Sequence, residues 1–247
     1  MNNKLFKKII GIFGYKLVDK SVIRNERLLG SQSFLNINLI LNKIFMNYEI
    51  NHLVQVGAND GVRFDELNKY IKNNKTKSIL VEPIRKYFEQ LKKNYDGYTN
   101  VYFENSAIDD MKSDIYLFKV SNKYIDKYDE HVRGINSFNK KHLVKHGVKN
   151  SHIETEKINI ISIIDLLKKY NINNLDLLFI DAEGHDANII IDLLNKSNQE
   201  PIIIFEYIHI EHEMFKILIQ KLNLKKFNYF KVNENIVCIP TRLKNIL

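Results

Sequence analysis

Short, nearly continuous apolar runs alternate along this chain with longer stretches whose apolar residues recur every three or four positions. LVQV (53–56), SILVEP (78–83), VYFENSAI (101–108), LDLLFIDAEG (175–184) and PIIIFEY (201–207) are of the first kind. Runs so short, with apolar residues at both parities, are expected of strands buried on both faces of a sheet. The intervening stretches predict helices. After Pro83, Tyr87, Leu91 and Tyr95 fall four apart. SIIDLLKKY (162–170) opens on an N-cap serine, Ser162, with Asp165 three residues on. DANIIIDLLNK and the segment 208–222 follow the last two runs in the same manner. DIYLFKV (114–120) predicts a strand paired as a hairpin with its predecessor. FNYFKV and IVCIP, joined around Asn233-Glu234-Asn235, predict a closing hairpin. Further upstream, SFLNINLILNKIFMNY (33–48) predicts a helix with Phe34, Ile37, Leu41 and Phe45 on one side.

Strand alternating with helix, around central strands that are apolar throughout, predicts an α/β, doubly wound, Rossmann-like sheet. No Pro/Gly/Ser-rich linker or internal repeat divides the 247 residues, so one domain is expected over 51–247, with residues 1–50 as a helical appendage. Within that appendage, Leu5, Ile9, Ile12 and Phe13 fall at helical spacing, and five lysines stand against one aspartate in the first twenty residues. Residues 4–18 therefore predict a basic amphipathic helix, suited either to peripheral contact with an anionic membrane or to packing on its own domain. No apolar run reaches the roughly 20 residues of a membrane span. No signal-peptide cleavage site follows the first apolar positions, so a cytoplasmic protein, peripheral at most to the inner face of the membrane, is expected. The single cysteine, Cys238, excludes an intramolecular disulfide and a cysteine-based zinc site. The net charge of +8 fits an anionic partner, but Lys, Asn and Ile are abundant together, as AT-rich coding alone would produce.

In a doubly wound sheet, ligands bind at the carboxyl ends of the strands. Those positions hold a coherent set. Gly57, Ala58, Asn59, Asp60 and Gly61 follow the first strand. Glu82 ends the second, and Asn105, Ser106 and Ala107 follow the third. Asp181, Ala182, Glu183, Gly184, His185 and Asp186 follow the run at 175–180, and Glu206 ends the last. Gly57 and Gly61 permit a tight turn and close approach to a ligand. Glu82, 21 residues beyond Gly61, stands near the spacing at which an acid meets ribose hydroxyls. The dinucleotide loop is excluded, because it would need glycine at Asn59 and Val62. A Walker loop is excluded too, because no Gly-Lys-Ser/Thr follows. A nucleoside-type ligand without a pyrophosphate remains, and S-adenosylmethionine fits; another nucleotide, or no ligand, stays open at this point.

VQVGANDG, LVEP, FENSAI, GINSFNKKHLVKH and IDAEGHD occur in that order across roughly residues 52–210. Together they resemble the FkbM family of S-adenosylmethionine-dependent methyltransferases. The resemblance implies the class I methyltransferase fold, a mostly parallel seven-stranded sheet with an antiparallel C-terminal hairpin, here preceded by N-terminal helices. It also implies O-methylation, often of sugars or polyketide-type hydroxyls. By position, the turn Gly57, Asn59, Asp60, Gly61 would face the methionine end of the cofactor, with Gln55 beside it. Glu82 would hold the ribose, and Ser106 and Ala107 would lie near the adenine. Asp181 and Glu183 would sit beside the transferring methyl. Gln55 is a departure, because many class I enzymes carry an acid two residues before the first glycine.

A hydroxyl acceptor needs a base or a metal as well as alignment. Asp181, Glu183, His185 and Glu206 are the expected catalytic residues, with His209 a further candidate base. A divalent ion on Asp181 and Glu183 with His185 or Glu206 is the less favoured route, and no metal site is assigned. Asp186 is expected to cap the following helix. The stretch 131–147 reads as an acceptor-binding lid or as a basic helix ended by Gly147; His131, His142 and His146 are expected to be solvated. The acceptor is expected to be a sugar or glycan precursor. A nucleic-acid methyltransferase is the alternative, weakened by the absence of tryptophan, of an Asn/Asp-Pro-Pro-Tyr/Phe segment and of a Pro-Cys nucleophile. A non-catalytic, membrane-associated binding protein is the other.

Overall fold

A computed structural model describes residues 36–63, 65–110, 115–129, 132, 135–137, 140–243 and 246. The expected amphipathic helix at 4–18 and its membrane contact, with His131 and Arg133, lie outside the described residues. The compact unit begins at Ile37.

The elements run in chain order: α1 (Ile37–Asn47), β1 (His52–Val56), α2 (Asn68–Asn73), β2 (Lys77–Val81), α3 (Arg85–Asn94), β3 (Val101–Glu104), β4 (Ala107–Ile108), β5 (Ile115–Val120), β6 (Asn136–Ser137), α4 (Lys140–Lys145), β7 (Ile153–Ile158), β8 (Ile160–Ile161), α5 (Ile163–Lys169), β9 (Leu177–Ile180), α6 (Asp186–Lys196), β10 (Ile202–Glu206), α7 (His212–Leu224), β11 (Phe227–Val232) and β12 (Asn235–Pro240). The main sheet has seven strands in the order β11-β12-β10-β9-β1-β2-β3. β1, β2, β3, β9 and β10 are mutually parallel, and β12 runs against both β10 and β11. This is the mostly parallel seven-stranded sheet closed by an antiparallel hairpin, with the order reversing between β1 and β9.

The two-sided apolar runs explain the layers. Leu53, Leu80, Leu177, Phe179, Ile202 and Ile204 face one core, shared with Ile40, Leu41 and Ile44 of α1, Ile71 of α2 and Leu91 of α3. Val54, Val56, Leu178, Ile180, Ile203 and Phe205 face the other, shared with α5, α6 and α7. α1 buries Ile37, Ile40, Leu41 and Ile44. At about 1.5–3 kcal/mol for each buried side chain, that stripe is enough to hold an 11-residue helix on the sheet. Ile37 and Leu41 of the expected stripe are buried and Phe45 packs half-buried beside them, whereas Phe34 lies outside the described residues. Asp176 secures the amino ends: its carboxylate accepts from the Asn51 and His52 amides at 2.9 and 3.0 Å and from the Asn174 side chain at 2.9 Å.

The strand at 115–120 differs from the sequence expectation. β5 pairs not with its predecessor but with β7 and β6, in a separate three-stranded antiparallel sheet. Its partners arrive more than fifteen residues later, and local periodicity carries no information about pairing over that range. The little sheet carries α4 beside the carboxyl ends of the main strands. Ser162 caps α5 as expected, its Oγ accepting from the Asp165 amide at 3.0 Å. Gly147, at φ +84°, ends the α4 turn. Among the described residues, no helix is long and apolar enough to cross a membrane.

Candidate active site

The turn after β1 is shaped by close approach. Gly57 has φ +81°, and a Cβ there would lie 1.9 Å from the carbonyl oxygen of Asp181, so no other residue fits between β1 and the β9 loop. The Gly57 and Ala58 amides both donate to the Val81 carbonyl at 3.0 Å. Asn59, also left-handed at φ +48°, donates its amide to Glu82 Oε2 at 3.0 Å, and the Ile84 amide donates to Glu82 Oε1 at 2.8 Å. Asp60 turns back on its own loop: Oδ1 accepts from the Val62 and Arg63 amides at 3.0 and 2.9 Å. Gly61 packs under α3, where a Cβ would meet Leu91 at 2.5 Å and Tyr95 at 2.6 Å. Of the expected turn residues, then, Gly57 and Asn59 line a cavity, whereas Asp60 and Gly61 build the turn.

Two cavities meet here. The first is a narrow cavity lined by Gly57, Asn59, Glu82, Ser106, Ala107 and Asp181 among others. Burial raises Glu82 to about 7, against the two amides that favour its charged form. Ser106 Oγ donates to Glu104 at 2.9 Å, which holds this wall in place.

The second cavity is a larger cleft on the other side of the turn. It contacts Gln55, Asp65, Glu66, Glu206 and His209, and shares Gly57, Asn59, Asp181 and Glu183 with the first. Gln55 Nε2 donates to Asp65 Oδ1 at 3.2 Å. Among the described residues, Gln55 Oε1 and Asp65 Oδ2 are buried with no hydrogen-bond partner, an arrangement that costs about 1–3 kcal/mol per group unless something else meets them. Burial raises Asp65 above its usual range, partly offset by the Leu67 amide and the Gln55 side chain. The acid missing at position 55 is therefore supplied eight residues beyond Gly57. Sequence reasoning passed over Asp65, because no spacing rule marks a residue that reaches back across a loop.

The β9 and β10 ends concentrate carboxylates. Asp181 is largely surrounded by protein but open to the water of the cleft. Enclosure, followed by the like charges of Glu183, Glu206, Asp186 and Glu66, holds it well above the usual carboxylate range. Glu206 is pushed up to about 8 by burial first, then by Glu183, Asp186 and Glu234. Glu183 sits at φ +50°, unusual for a residue with a side chain, and its Oε2 lies 3.0 Å from His142 Nε2 and 3.9 Å from His209 Nε2. His209 Nε2 is also 3.5 Å from Glu206 Oε2. Burial lowers His209 despite the pull of Glu183, with His142 and His146 adding to the lowering.

Three assignments change. His185, expected among the catalytic residues, pairs with Asp109 at 2.8 Å and lines the first cavity but not the cleft that holds Glu206. Asp186 is no N-cap: it is the first residue of α6, fully buried, and its carboxylate accepts from the Gly184 amide at 3.2 Å, bracing the loop. His142 is not solvated. Its side chain is 11% exposed, and its ring lies 4.7 Å from that of His146 and 4.4 Å from that of His209.

The chain matches the model of the Methyltransferase FkbM domain over residues 55–230. No curated protein sequence matches it. Among solved structures, it is similar to methyltransferase FkbM from Methylobacillus flagellatus KT, at 10% identity and a TM-score of 0.46, covering 77% of this chain and 44% of that one. It is also similar to Aeropyrum pernix fibrillarin with natively bound S-adenosyl-L-methionine, at 11% identity and a TM-score of 0.41, covering 81% and 74%.

Proposed function

The chain belongs to the FkbM methyltransferase family, whose members use S-adenosylmethionine, and on that premise we propose that it methylates a hydroxyl of a sugar or cell-surface glycan precursor. One observation carries the reading: a cavity that holds Glu82 and a polar cleft share a single wall of Gly57, Asn59, Asp181 and Glu183. Two reactants held on either side of that wall would meet at Asp181.

The residues fit the cofactor. Gln55 Oε1 and Asp65 Oδ2, the orphaned acceptors, suit the ammonium of its methionine end. Glu82, lining the first cavity, suits the ribose diol, and Ser106 and Ala107 suit the adenine edge. Once bound, S-adenosylmethionine supplies an electrophilic methyl group. The remaining work is done by the chain. Arg63, Lys86 and the carboxylates of the cleft offer donors and acceptors to a polyhydroxylated acceptor. Asp181 takes the hydroxyl proton, its raised proton affinity making it a stronger base than an ordinary carboxylate. Glu183 and Glu206 hold the acceptor oxygen in line.

Nucleic acid is disfavoured as the acceptor. Arg63 and Lys86 are outnumbered around the cleft by Asp65, Glu66, Asp126, Asp181, Glu183 and Glu206, so few cations are on hand to neutralise phosphates. Calorimetric titration with S-adenosylmethionine and S-adenosylhomocysteine tests cofactor use; no heat at millimolar ligand would overturn it. Transfer of labelled methyl to glycan precursors rather than to RNA tests the acceptor class.

A further inference from the structure

Three distant chain segments bring nitrogen and carboxylate donors to one point beside the cleft. His142 comes from α4, with His146 four residues on; Glu183 comes from the β9 loop; His209 comes from the β10 loop. The ligand atoms of His142, His146 and His209 all lie within 4.8 Å of one another, and so do those of Glu183, Glu206 and His209. His209 belongs to both groups, and Glu183 Oε2 lies beside the first, at 3.0 Å from His142 Nε2 and 3.9 Å from His209 Nε2. We propose that His142, His146, His209 and Glu183 form a divalent transition-metal site at the edge of the acceptor cleft.

The backbone is arranged for this convergence. Glu183 holds a left-handed conformation that costs about 1–2 kcal/mol, an outlay usually found where surroundings impose it for function. Gly184, at φ +96°, lets the two loops touch: a Cβ there would lie 2.7 Å from the His209 carbonyl oxygen. A histidine pair at i and i+4 places both imidazoles on one side of a helical turn, the spacing used by zinc-binding helices. The His146 amide donates to the His142 carbonyl at 3.3 Å, so the helical turn extends to His146.

Donor chemistry selects the ion. Three imidazoles and one carboxylate suit zinc, cobalt, nickel, manganese or iron, whereas magnesium and calcium prefer all-oxygen sets. Metal–nitrogen bonds of about 2.0–2.1 Å would draw the side chains together by small rotations. Glu206, 3.5 Å from His209, borders the side that opens on the cleft. A cleft-side coordination position would take the acceptor hydroxyl oxygen and ease loss of its proton to Asp181. That role rests on the methyl-transfer reading; metal binding itself does not.

The test is titration of chelator-treated, full-length protein with Co²⁺ in the absence of cofactor, followed by visible absorption. The expected result is one equivalent per chain, displaced by Zn²⁺. His142→Gln, His146→Gln and His209→Gln should each weaken binding at least tenfold, while His212→Gln, on the exposed start of α7, leaves it unchanged. Three separate variants guard against one that fails to fold. Absence of stoichiometric Co²⁺ binding, or binding that all three histidine variants retain, overturns the site. Co²⁺ binding without S-adenosylhomocysteine binding would keep the metal site and sink the methyl-transfer reading; the converse would do the opposite.

Discussion

The two halves of the site treat their acids in opposite ways. At the ends of β1 and β2, Glu82 is buried but met by two backbone amides, from Asn59 and Ile84, so a local turn already satisfies it. At the ends of β9 and β10, Asp181, Glu183 and Glu206 crowd one another, and the imidazoles of His142 and His209 stand beside Glu183 and Glu206. The first half is a finished binding wall. The second stores like-charge repulsion that only a proton, a cation or a reacting hydroxyl relieves. On the proposed function, binding and chemistry would be divided between the two sides of the point where the strand order reverses.

The contrast breaks most sharply on the catalytic side. Asp181→Asn should lower kcat by about 10²–10⁴ while leaving S-adenosylhomocysteine affinity within a few-fold, measured by single-turnover kinetics and titration. An equal loss in both would put Asp181 in binding rather than chemistry. Next comes the shared wall. Gly57→Ala drives a methyl into the Asp181 carbonyl and should cost about 3 kcal/mol or more by denaturant melting. Gly97→Ala, with the same sign of φ but open space around it, should cost only about 1 kcal/mol.

The binding wall is tested by pH. Glu82 holds its proton more tightly folded, at about 7, than at its usual 4.5. Its contribution to folding is therefore fully present below 4.5 and is lost as pH rises through about 7. Cofactor binding runs the other way, because ribose hydroxyls donate to the carboxylate. S-adenosylhomocysteine affinity should weaken roughly tenfold from pH 8 to pH 6, and the dependence should vanish in Glu82→Gln. The smallest effect belongs to the methionine end. Asp65→Asn should weaken S-adenosylhomocysteine about threefold to fivefold but leave 5′-methylthioadenosine, which lacks the amino-acid group, unaffected.

Much of this was legible along the chain. Two-sided apolar runs marked the five parallel strands of the main sheet, and the hairpin signal around Asn233 marked the edge. Gly57, Glu82, Asp181 and Glu206 stand at strand ends because the strands end there, and strand ends are read locally. The failures share a cause. Local pattern gives β5 the wrong partner and leaves His142 and His146 in solvent, because their neighbours come from remote sequence, and it passes over Asp65, which reaches Gln55 across a ten-residue loop. Asp186 was read as a cap because its type and place permit one, and only burial redirected its carboxylate to the loop before it.

Periodicity and residue type by themselves determined the sheet, its layers and the row of acids along its edge, since strand burial and turn chemistry act over a few residues. Tertiary structure alone decided which acids share a cavity, which are already satisfied, and that His142 and His209 meet Glu183. Those contacts depend on chain closing over 23 residues from Asn59 to Glu82 and 41 from His142 to Glu183, where the packing of the whole domain, not any local preference, sets the distances.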